Sequence, residues 1–470
     1  MNSNDFPEPD TNILDIPSTI FRAYDIRGIA GEQLTEATVW QISRAIASEA
    51  IAQGIKSLLV GYDARLSSPQ LSKALISGLL SAGCDVINLG RIPTPLLYFA
   101  AYNSPHTSGV MLTASHNPAN YNGIKIVFQR KSLAANQIQA IRQRIEERLF
   151  AAGSGSYSEL DVKPAYIEYI RSTVKPQRPL KLVIDCANAV AGEIAPTLFS
   201  ALGCEVVPLY CEIDGSFPNH HPDPTVPANL ESLVKTVLAT KADLGIAFDG
   251  DADRLGVVTN LGEIMDADHI MMLLVTQIAP SYPGASIVFD VKCSRNLSLL
   301  IQQLGCVPVM HRSGHSFMKQ MMLESQAPLG GEFASHIFIK DRWFGFDDGM
   351  YAAARVVEIL AGQAASASAV FRQFPFLPST PEISIPVRED QKFALMEKII
   401  ASADFAEAHL IKIDGLRMEF ENSWGLVRAS NTSPALLLRF EADSEQALTA
   451  IQAKFKALLR KADKSLVLHF

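Results

Sequence analysis

The sequence lacks the marks of membrane, nucleic-acid-binding and zinc-binding proteins. Its 470 residues contain no run of 18 uninterrupted apolar residues, so we expect no membrane-spanning helix. A formal net charge of −8 argues against general binding to nucleic acids or anionic membranes. The six cysteines form no CxxC pair, which argues against a zinc site and for a reducing compartment. The amino-terminal stretch lacks the basic-then-apolar order of a signal peptide, and we expect a cytoplasmic protein.

Charged residues are also few for this length, which indicates large buried cores. They make up 19% of the sequence, whereas hydrophobic residues make up 48%, and this composition excludes a disordered chain. Because 470 residues are too many for one ordinary core, we expect two to four domains.

A weak internal repeat organises most of the chain. Three apolar, strand-like segments end in aspartate, at Asp63, Asp185 and Asp290. Each is followed by a helix-like stretch, a Gly-Cys pair and a second short strand. The cysteines of these pairs, whose shared position predicts small buried packing residues, are Cys84, Cys204 and Cys306. Strand, helix and strand with glycine at the helix end is typical of a βαβ unit, so we expect three α/β domains with mixed, largely parallel sheets.

The carboxyl-terminal segment has a different order of elements. After a loose stretch over residues 361–380 come a strand, a helix beginning near Glu389, three or four short strands and a helix over residues 444–461. The Asp414-Gly415 pair is typical of a hairpin turn. This order predicts a smaller α+β domain. We therefore expect four domains around one central cleft, over residues 1–161, 162–264, 265–378 and 379–470.

A serine follows the strand-like run within GVMLTASHNPANYNGIK, residues 109–125. Ser115 stands at the end of this run, and Asn117-Pro118 then turns the chain. A serine in such a loop can cap a helix, stabilise a turn or take part in chemistry. Ligands of parallel sheets gather beyond the carboxyl ends of strands, which is where this serine lies. We do not expect a hydrolase-type couple with His116, because neighbouring side chains on an extended chain point apart and no G-x-S-x-G elbow is present.

Three alternating aspartates stand between two apolar strands. They are Asp249, Asp251 and Asp253, and the neighbouring Arg254 is the one local cation. Such a cluster is costly unless a cation joins it, and an all-oxygen ligand set favours Mg²⁺ or Ca²⁺. An EF-hand is excluded, because its positions six and twelve are Arg254 and Asn260 rather than glycine and glutamate. A phosphatase-type aspartate nucleophile and a solvated acidic turn stay open as alternatives.

Two further polar segments suggest binding of a phosphorylated sugar. One segment carries Arg428, Ser430, Asn431 and Thr432 between two strands. An arginine fork with hydroxyls and loop N–H groups suits a phosphate dianion, although an ordinary polar hairpin contains the same residue types. Glycine-bent loops carry His315, Glu332 and His336. A buried glutamate needs a partner such as sugar hydroxyls, whereas a structural role stays the alternative for the histidines.

Together these stretches resemble the α-D-phosphohexomutase family, most closely its bifunctional phosphomannomutase/phosphoglucomutase members, from Ile20 to the carboxyl-terminal helix. The family's serine loop TASHNP corresponds to residues 113–118, which implies that Ser115 carries the phosphoryl group. The family's metal loop DGDGDR is similar to residues 249–254, with Ala252 in place of one glycine. The metal ligands implied by this resemblance are Asp249, Asp251, Asp253 and, through its phosphate, Ser115.

The same resemblance implies roles for the other polar positions. The implied catalytic groups are Ser115, His116, Lys125, Arg254 and Arg27. The candidate bases are Lys125 and His116. The implied substrate-binding groups are Tyr24, Lys292, His315, Glu332, Ser335, His336, Arg428, Ser430, Asn431 and Thr432. The sugar loop departs from the family's usual GEMSGH, because Ala334 stands at the serine position and Ser335 follows it; with an unchanged backbone, Ser335 points elsewhere and one sugar hydrogen bond is lost.

The reaction implied by the resemblance is reversible transfer of phosphate between C1 and C6 of mannose or glucose phosphates, through a phosphoserine and a 1,6-bisphosphate. It also implies Mg²⁺, glucose 1,6-bisphosphate or mannose 1,6-bisphosphate as activator, small hexose phosphates as the partners, and a monomer. Three rivals stay open: a phosphoglucosamine mutase, an Mg²⁺-dependent sugar phosphatase and a non-catalytic sugar-phosphate-binding relative. A substrate held by either end further predicts that the last domain moves while the intermediate turns.

Overall fold

The chain folds into four β-sheets with helices between their strands. The computed structural model describes residues 16–430 and 433–470. In chain order the sheets contain seven, five, four and five strands. Among the helices of these described ranges, none is long and apolar enough to cross a membrane.

The first sheet is mixed. Its strands are β1 (Ile26–Ile29), β2 (Ser57–Tyr62), β3 (Asp85–Arg91), β4 (Gly109–Leu112), β5 (Tyr121–Phe128), β6 (Lys131–Ser132) and β7 (Tyr157–Glu159). Its helices are α1 (Glu36–Ala52), α2 (Ser68–Ser81), α3 (Thr94–Asn103) and α4 (Asn136–Glu146). The strand order is β1-β5-β4-β2-β3-β7, with β6 paired to β5. β2 is parallel to β3 and β4, whereas β5 is antiparallel to β1 and β4.

The second and third sheets repeat a shorter form of this plan. The second group of elements is α5 (Lys163–Thr173), β8 (Lys181–Asp185), α6 (Ala195–Ala201), β9 (Glu205–Leu209), α7 (Glu231–Thr240), β10 (Leu244–Phe248), β11 (Leu255–Thr259) and β12 (Ile264–Met265). The third is α8 (Ala267–Ile278), β13 (Ser286–Asp290), α9 (Arg295–Gln303), β14 (Val307–His311), α10 (His315–Ser325), β15 (Leu329–Gly331), β16 (Ile337–Ile339), α11 (Gly349–Ala361) and α12 (Ala367–Phe371). The predicted limit between residues 264 and 265 falls inside β12, and the domain limits stay predictions.

The repeat read from the sequence has a structural counterpart. In each of the three sheets, the strand that leads to the repeated aspartate has a parallel neighbour on both sides. The three aspartates are at most 1% exposed. The three repeat cysteines, at positions 84, 204 and 306, are 0%, 8% and 5% exposed, which confirms them as buried packing residues.

The last sheet is antiparallel throughout. Its elements are β17 (Ile383–Pro386), α13 (Lys392–Ser402), β18 (His409–Ile411), β19 (Leu416–Glu419), β20 (Ser423–Ala429), β21 (Ala435–Ala442) and α14 (Glu445–Ala462). The strands follow the order β17-β21-β20-β19-β18. The predicted hairpin turn joins β18 to β19, and Gly415 within it has a φ of +78°, which favours glycine. Three α/β units followed by an α+β unit confirm the predicted fold class.

The first three sheets share one apolar core, whereas the last sheet has its own. In the shared core, Phe99 of α3 stacks on Trp343 at 5.7 Å between ring centroids, and Tyr166 of α5 meets Phe99 edge-on at 5.4 Å. In the separate core, the rings of Phe440 and Phe455 lie 5.1 Å apart. The packing therefore divides the molecule into a three-sheet frame and a carboxyl-terminal unit.

Polar contacts of arginine join the carboxyl-terminal unit to the third sheet. Arg417 donates hydrogen bonds from Nη1 to the carbonyls of Val291 and Cys293 at 2.7 and 2.8 Å. Arg439 of β21 contacts the carbonyl of Lys292. A small apolar cluster lies at the same junction, where Val291 packs against Trp424 and Leu426 of β20.

Candidate active site

One cavity of about 480 Å³ is lined by residues from all four parts of the chain. Its walls contain the predicted residues Tyr24, Arg27, Ser115, His116, Lys125, Arg254, Lys292, His315, Glu332, Ser335, His336, Arg428 and Ser430. The two remaining substrate-binding candidates, Asn431 and Thr432, lie outside the described residues. The structure therefore brings together positions that are far apart in the sequence.

Ser115 lies just beyond β4 and close to the acidic loop. It is 3% exposed, and its hydroxyl donates a 2.6 Å hydrogen bond to Asp249 Oδ2. The expectation that Ser115 and His116 point apart is wrong, because Ser115 Oγ lies 3.2 Å from His116 Nδ1. The physical reason is local: Ser115 has a φ of +49°, a left-handed turn rather than the extended chain that the expectation assumed.

The three aspartates form a buried acidic cluster beside this serine. Asp249 follows β10, and Asp251 and Asp253 lead into β11. All three are 0% exposed, and one carboxylate oxygen from each lies within 4.8 Å of the others. This burial excludes a solvated acidic turn. Burial and the charges of the other two aspartates raise the pKa of Asp249 well above its usual value.

The acidic cluster fits a divalent cation. Among the described residues, the buried Asp251 Oδ1 has no hydrogen-bond partner. Lys125 Nζ donates to Asp251 Oδ2 and Asp253 Oδ2 at 2.7 and 2.6 Å. The unpartnered Asp251 oxygen lies in a group of three carboxylates, and an all-oxygen set is the kind that Mg²⁺ takes. The cluster can therefore bind a metal ion within reach of the serine oxygen.

Two arginines add positive charge around the serine loop. Arg27 of β1 donates to Asn117 Oδ1 at 2.6 Å and pairs with Asp25 at 2.5 Å. Arg254 places Nε 3.9 Å from Asp249 Oδ2. Both side chains line the cavity, so an anion beside Ser115 would meet fixed guanidinium groups.

The two candidate bases differ in their electrostatic surroundings. Burial acts to lower the pKa of Lys125, but the two aspartates it contacts hold it well above its usual value. Burial, reinforced by two neighbouring arginines, holds the pKa of His116 well below its usual value. At neutral pH the lysine is therefore charged and the histidine is neutral.

The sugar loop, residues 331–336, is connected to the acidic cluster through a histidine. Glu332 accepts a 2.5 Å hydrogen bond from the Gly314 N–H, and its Oε2 lies 3.0 Å from His336 Nδ1. His336 Nε2 lies 3.2 Å from Asp253 Oδ1. Burial acts to raise the pKa of Glu332, but the hydrogen bond and charge of His336 lower it to about 2. Burial acts to lower the pKa of His336, but the contacts with Asp253 and Glu332 raise it to about 9.

The remaining sugar-side candidates form an aromatic and polar wall. The ring of His315 meets the edge of Tyr24 at 4.8 Å, and its Nδ1 lies 3.3 Å from Asp347 Oδ2. Ala334 and Ser335 both line the cavity, with Ser335 in a left-handed conformation at φ +70°. The histidine has the carboxylate partner of a structural residue, yet it also lines the cavity.

The phosphate-loop candidates stand at the end of β20. Arg428 Nε donates to Asp414 Oδ2 at 2.8 Å. Its Nη2 is buried without a hydrogen-bond partner among the residues that the structure describes. Lys292 Nζ lies nearby on the cavity wall, 3.3 Å from Glu382 Oε2. A guanidinium nitrogen with an unused donor on a cavity wall favours an anionic ligand there.

Sequence reasoning missed several residues that support these groups. Thr94 donates its hydroxyl to Asp251 Oδ2 at 2.5 Å, across 157 positions of sequence. Asp414, interpreted only as a turn residue, also accepts the Ser313 N–H at 3.0 Å. No local pattern marks Thr94. Asp414 could have been sought as the partner of the predicted arginine, because buried charges such as that of Arg428 are paired.

Comparison with known proteins identifies the family along the whole chain. Models of the phosphoglucomutase/phosphomannomutase alpha/beta/alpha domains I, II and III match residues 18–152, 164–262 and 266–376. The model of the phosphoglucomutase/phosphomannomutase C-terminal domain matches residues 382–458.

Similar proteins cover nearly the full length. A phosphomannomutase/phosphoglucomutase of Pseudomonas aeruginosa is 51% identical over 455 residues, which is 97% of this chain and 98% of the relative. A phosphoglucomutase of Neisseria gonorrhoeae is 45% identical over 448 residues, 94% of this chain and 97% of the relative. The crystal structure of a phosphoglucomutase/phosphomannomutase family protein from Burkholderia thailandensis superposes with a TM-score of 0.93 at 45% identity, covering 97% of this chain and 100% of that one.

These matches agree with the architecture described above and confirm the predicted family and enzyme class. All four family segments occur in order, and relatives share about half of the residues at full length. The chain belongs to the phosphoglucomutase/phosphomannomutase family and is a hexose-phosphate mutase.

Proposed function

We propose that this enzyme moves phosphate reversibly between C1 and C6 of a hexose phosphate, with Ser115 carrying the phosphoryl group. The position of Ser115 Oγ supports this most strongly, because it lies 2.6 Å from the buried acidic cluster and lines the same cavity as Arg428. A phosphate on Ser115 would stand among a cation site and several basic side chains. In an aspartate-nucleophile phosphatase the aspartate itself would carry the phosphoryl group, and the contact of Ser115 with the acidic cluster would have no role in the reaction.

The reaction begins with a sugar 1-phosphate whose phosphate binds Arg428 and Ser430, with Asn431 and Thr432 beside them in sequence. The 6-oxygen of the sugar attacks the phosphorus on Ser115. A new O6–P bond forms as the bond from phosphorus to Ser115 Oγ breaks. The proton of the 6-hydroxyl leaves to a base. Of the two candidates, His116 is neutral and can accept it, whereas the charged Lys125 has no free electron pair to do so.

The resulting 1,6-bisphosphate then turns end for end. Its 6-phosphate takes the place on Arg428 and Ser430, and its 1-phosphate faces Ser115. The serine oxygen takes back a phosphoryl group by the same displacement in reverse, and the sugar 6-phosphate leaves. A polar nest in which Arg428 Nη2 has no hydrogen-bond partner among the described residues suits this exchange, because it can accept phosphate from either end of the sugar.

Charged groups of the chain stabilise the transfer. Arg27, Lys125 and Arg254 place positive charge beside Ser115, where negative charge builds up on the phosphoryl oxygens. The proposed ligands of Mg²⁺ are Asp249, Asp251, Asp253 and the phosphate on Ser115. When bound there, the ion offsets negative charge on the transferring group.

The sugar itself is proposed to bind the part of the cavity wall that contains Glu332 and His336. Glu332, held as a carboxylate by His336, accepts hydrogen bonds from ring hydroxyls. The neighbouring contacts are proposed for Tyr24, Lys292, His315, Ser335 and His336. Mannose and glucose phosphates are the proposed substrates, since similar proteins carry the names of both mutases.

Further properties follow as part of the same proposal. A trace of glucose 1,6-bisphosphate or mannose 1,6-bisphosphate would restore phosphate lost from Ser115 to water. Residues from all four parts of this chain line the cavity, so the proposed reaction needs no residue of a second chain, and the proposal keeps a monomer. All six cysteines are unpaired thiols, which supports action in the cytoplasm.

The test is an assay of purified enzyme with Mg²⁺ and a trace of glucose 1,6-bisphosphate. Formation of 6-phosphate is compared for mannose 1-phosphate, glucose 1-phosphate and glucosamine 1-phosphate. We expect turnover of the first two. Turnover of glucosamine 1-phosphate alone would reassign the enzyme to a phosphoglucosamine mutase, and release of inorganic phosphate without isomer would favour a phosphatase. Absence of both turnover and phosphate on Ser115 would favour a sugar-phosphate-binding protein.

A further inference from the structure

One buried side chain, Arg65, holds the loop that carries the reactive serine. The backbone carbonyls that converge on its guanidinium belong to Ser115, Asn117, Pro118 and Tyr121. Nη2 donates to the first two at 2.7 and 2.6 Å, and Nη1 donates to the last two at 2.5 and 3.0 Å. Nε donates to Asp63 Oδ2 at 3.1 Å. An arginine has five N–H donors, so every donor of Arg65 is used.

Arg65 is itself held in one orientation. Asp63, the aspartate of the first repeat, accepts the Arg65 N–H at 3.1 Å and the Ser68 hydroxyl at 2.6 Å through Oδ1. From the loop between β9 and α7, the ring of Phe217 lies 5.4 Å from the guanidinium. Gly215 packs so closely that a Cβ there would lie 2.4 Å from the carbonyl of Ala64. The 1% exposed side chain is therefore enclosed by contacts that favour its observed orientation.

The segment that Arg65 holds has an unusual backbone. The φ of +49° at Ser115 is one that residues with a side chain rarely adopt. The same carbonyl that binds Arg65 faces the metal loop, where a Cβ on Gly250 would lie 2.2 Å from it. Arg65 does not line the cavity, so it acts on the backbone of the loop and not on a ligand.

We propose that Arg65, oriented by Asp63, is the positioning residue that sets where Ser115 Oγ stands relative to the acidic cluster. This inference rests on the proposed function, since it concerns the serine step. Lysine keeps the positive charge but carries its three donors on one nitrogen, and it cannot bind four separate carbonyls. A misplacement of about 1 Å at a reacting atom costs about 100-fold in rate. We expect Arg65→Lys to lower kcat by about 100-fold and to change KM by less than about threefold, because Arg65 touches no substrate-binding wall.

The matched control is Arg355→Lys. Arg355 is also 1% exposed and, like Arg65, lines no part of the cavity, but its guanidinium donates to Asp341 and not to the serine loop. Both variants are compared with wild type for Tm, kcat, KM and the rate at which Ser115 takes up phosphate from glucose 1,6-bisphosphate, followed by intact mass. The expected result is a lower Tm in both variants and a loss of kcat and of phosphate uptake only in Arg65→Lys. Equal kcat in the two variants, or a raised KM with unchanged kcat, would overturn the proposal.

A milder variant covers the case in which Arg65→Lys does not fold. Asp63→Asn keeps an oxygen acceptor but removes the charge that orients Arg65, so kcat is expected to fall by less than in Arg65→Lys, with KM unchanged. An Asp63→Asn enzyme with wild-type kcat would overturn the proposal. The wild-type enzyme is assayed in parallel. If it is inactive on every hexose phosphate, both the proposed function and this inference are refuted. If it is active and the Arg65 and Asp63 variants have the same kcat, this inference alone is refuted.

Discussion

The two ends of the cavity are built differently. At the transfer end, groups from the first three sheets bind one another directly, as Ser115 does with Asp249 and His336 does with Asp253. These sheets share one apolar core. At the phosphate-binding end, Arg428 belongs to a unit with its own core and pairs with Asp414 of the same unit. The proposed transfer chemistry thus lies in a frame with a shared core, and the proposed phosphate binding in a unit whose main core is its own.

This difference teaches how one site can serve two steps. Phosphoryl transfer needs reacting atoms within tight limits, which a shared core and interlocked charges supply. Phosphate binding must accept a group attached to C1 in one step and to C6 in the next. The junction of the last unit with the third combines a small apolar cluster of Val291, Trp424 and Leu426 with polar contacts such as those of Arg417 to backbone carbonyls. Small, partly polar interfaces are typical of domains that move. The predicted movement of the last domain stays a prediction that this junction supports.

Removal of the Ser115 hydroxyl is expected to have the largest effect, because this oxygen is proposed to carry the phosphoryl group at the transfer end. Ser115→Ala leaves no oxygen to carry phosphate, so the rate of glucose 6-phosphate formation falls by about 10³-fold or more. Intact mass should show no added phosphate. The control is Ser81→Ala, whose hydroxyl binds the Gly78 carbonyl on α2 at 3.0 Å, remote from the cavity. Retained turnover in Ser115→Ala would refute the phosphoserine.

Loss of the metal ion is expected to have the next largest effect on the transfer end. Chelation by EDTA should lower turnover by roughly 100-fold, because charge on the phosphoryl group is then offset by side chains alone. Added Mg²⁺ should restore the rate in wild type, whereas Asp251→Asn should need more Mg²⁺. Asp390→Asn changes an exposed aspartate and serves as control. Full activity in EDTA would contradict the assignment of the acidic cluster.

Loss of the Arg428 guanidinium at the proposed phosphate-binding end is expected to lower the affinity of the enzyme for its substrate. Arg428→Met removes a charge-assisted hydrogen bond to phosphate, so kcat/KM falls by about 10- to 100-fold, mainly through a higher KM. Steady-state kinetics with mannose 1-phosphate and glucose 1-phosphate measure this. Arg388→Met removes an exposed arginine of the same unit and should leave KM unchanged. If Arg428→Met lowered kcat alone, the division between the two ends would be wrong.

The smallest expected effect lies in the sugar loop between the two ends. Ala334→Ser restores the hydroxyl of the family's usual pattern and adds one hydrogen bond to the sugar, worth about 0.5–1.5 kcal/mol. We expect a rise in kcat/KM of about two- to tenfold, measured with both hexose 1-phosphates. Ala152→Ser adds a hydroxyl at an exposed alanine as control. An unchanged kcat/KM would show that Ser335 already supplies the contact.

The sequence by itself determined the local parts of this protein. The aspartates of the acidic loop, the strand before Ser115 and the order of the βαβ units all follow from short-range periodicity and turn chemistry. The carboxyl-terminal hairpin at Gly415 follows from the same kind of signal. These features depend on neighbouring residues, and neighbouring residues are what a sequence pattern records.

Only the tertiary structure decided which groups meet and how they face. Thr94 reaches Asp251 across 157 positions, and Arg65 gathers four carbonyls of the serine loop. The left-handed turn at Ser115 brings His116 close to the hydroxyl, against the expectation from an extended chain. The physical reason is that such contacts depend on how segments pack in space, within the first unit for Arg65 and between the first and second units for Thr94. Packing is set by the fit of the whole core, and no local periodicity records it.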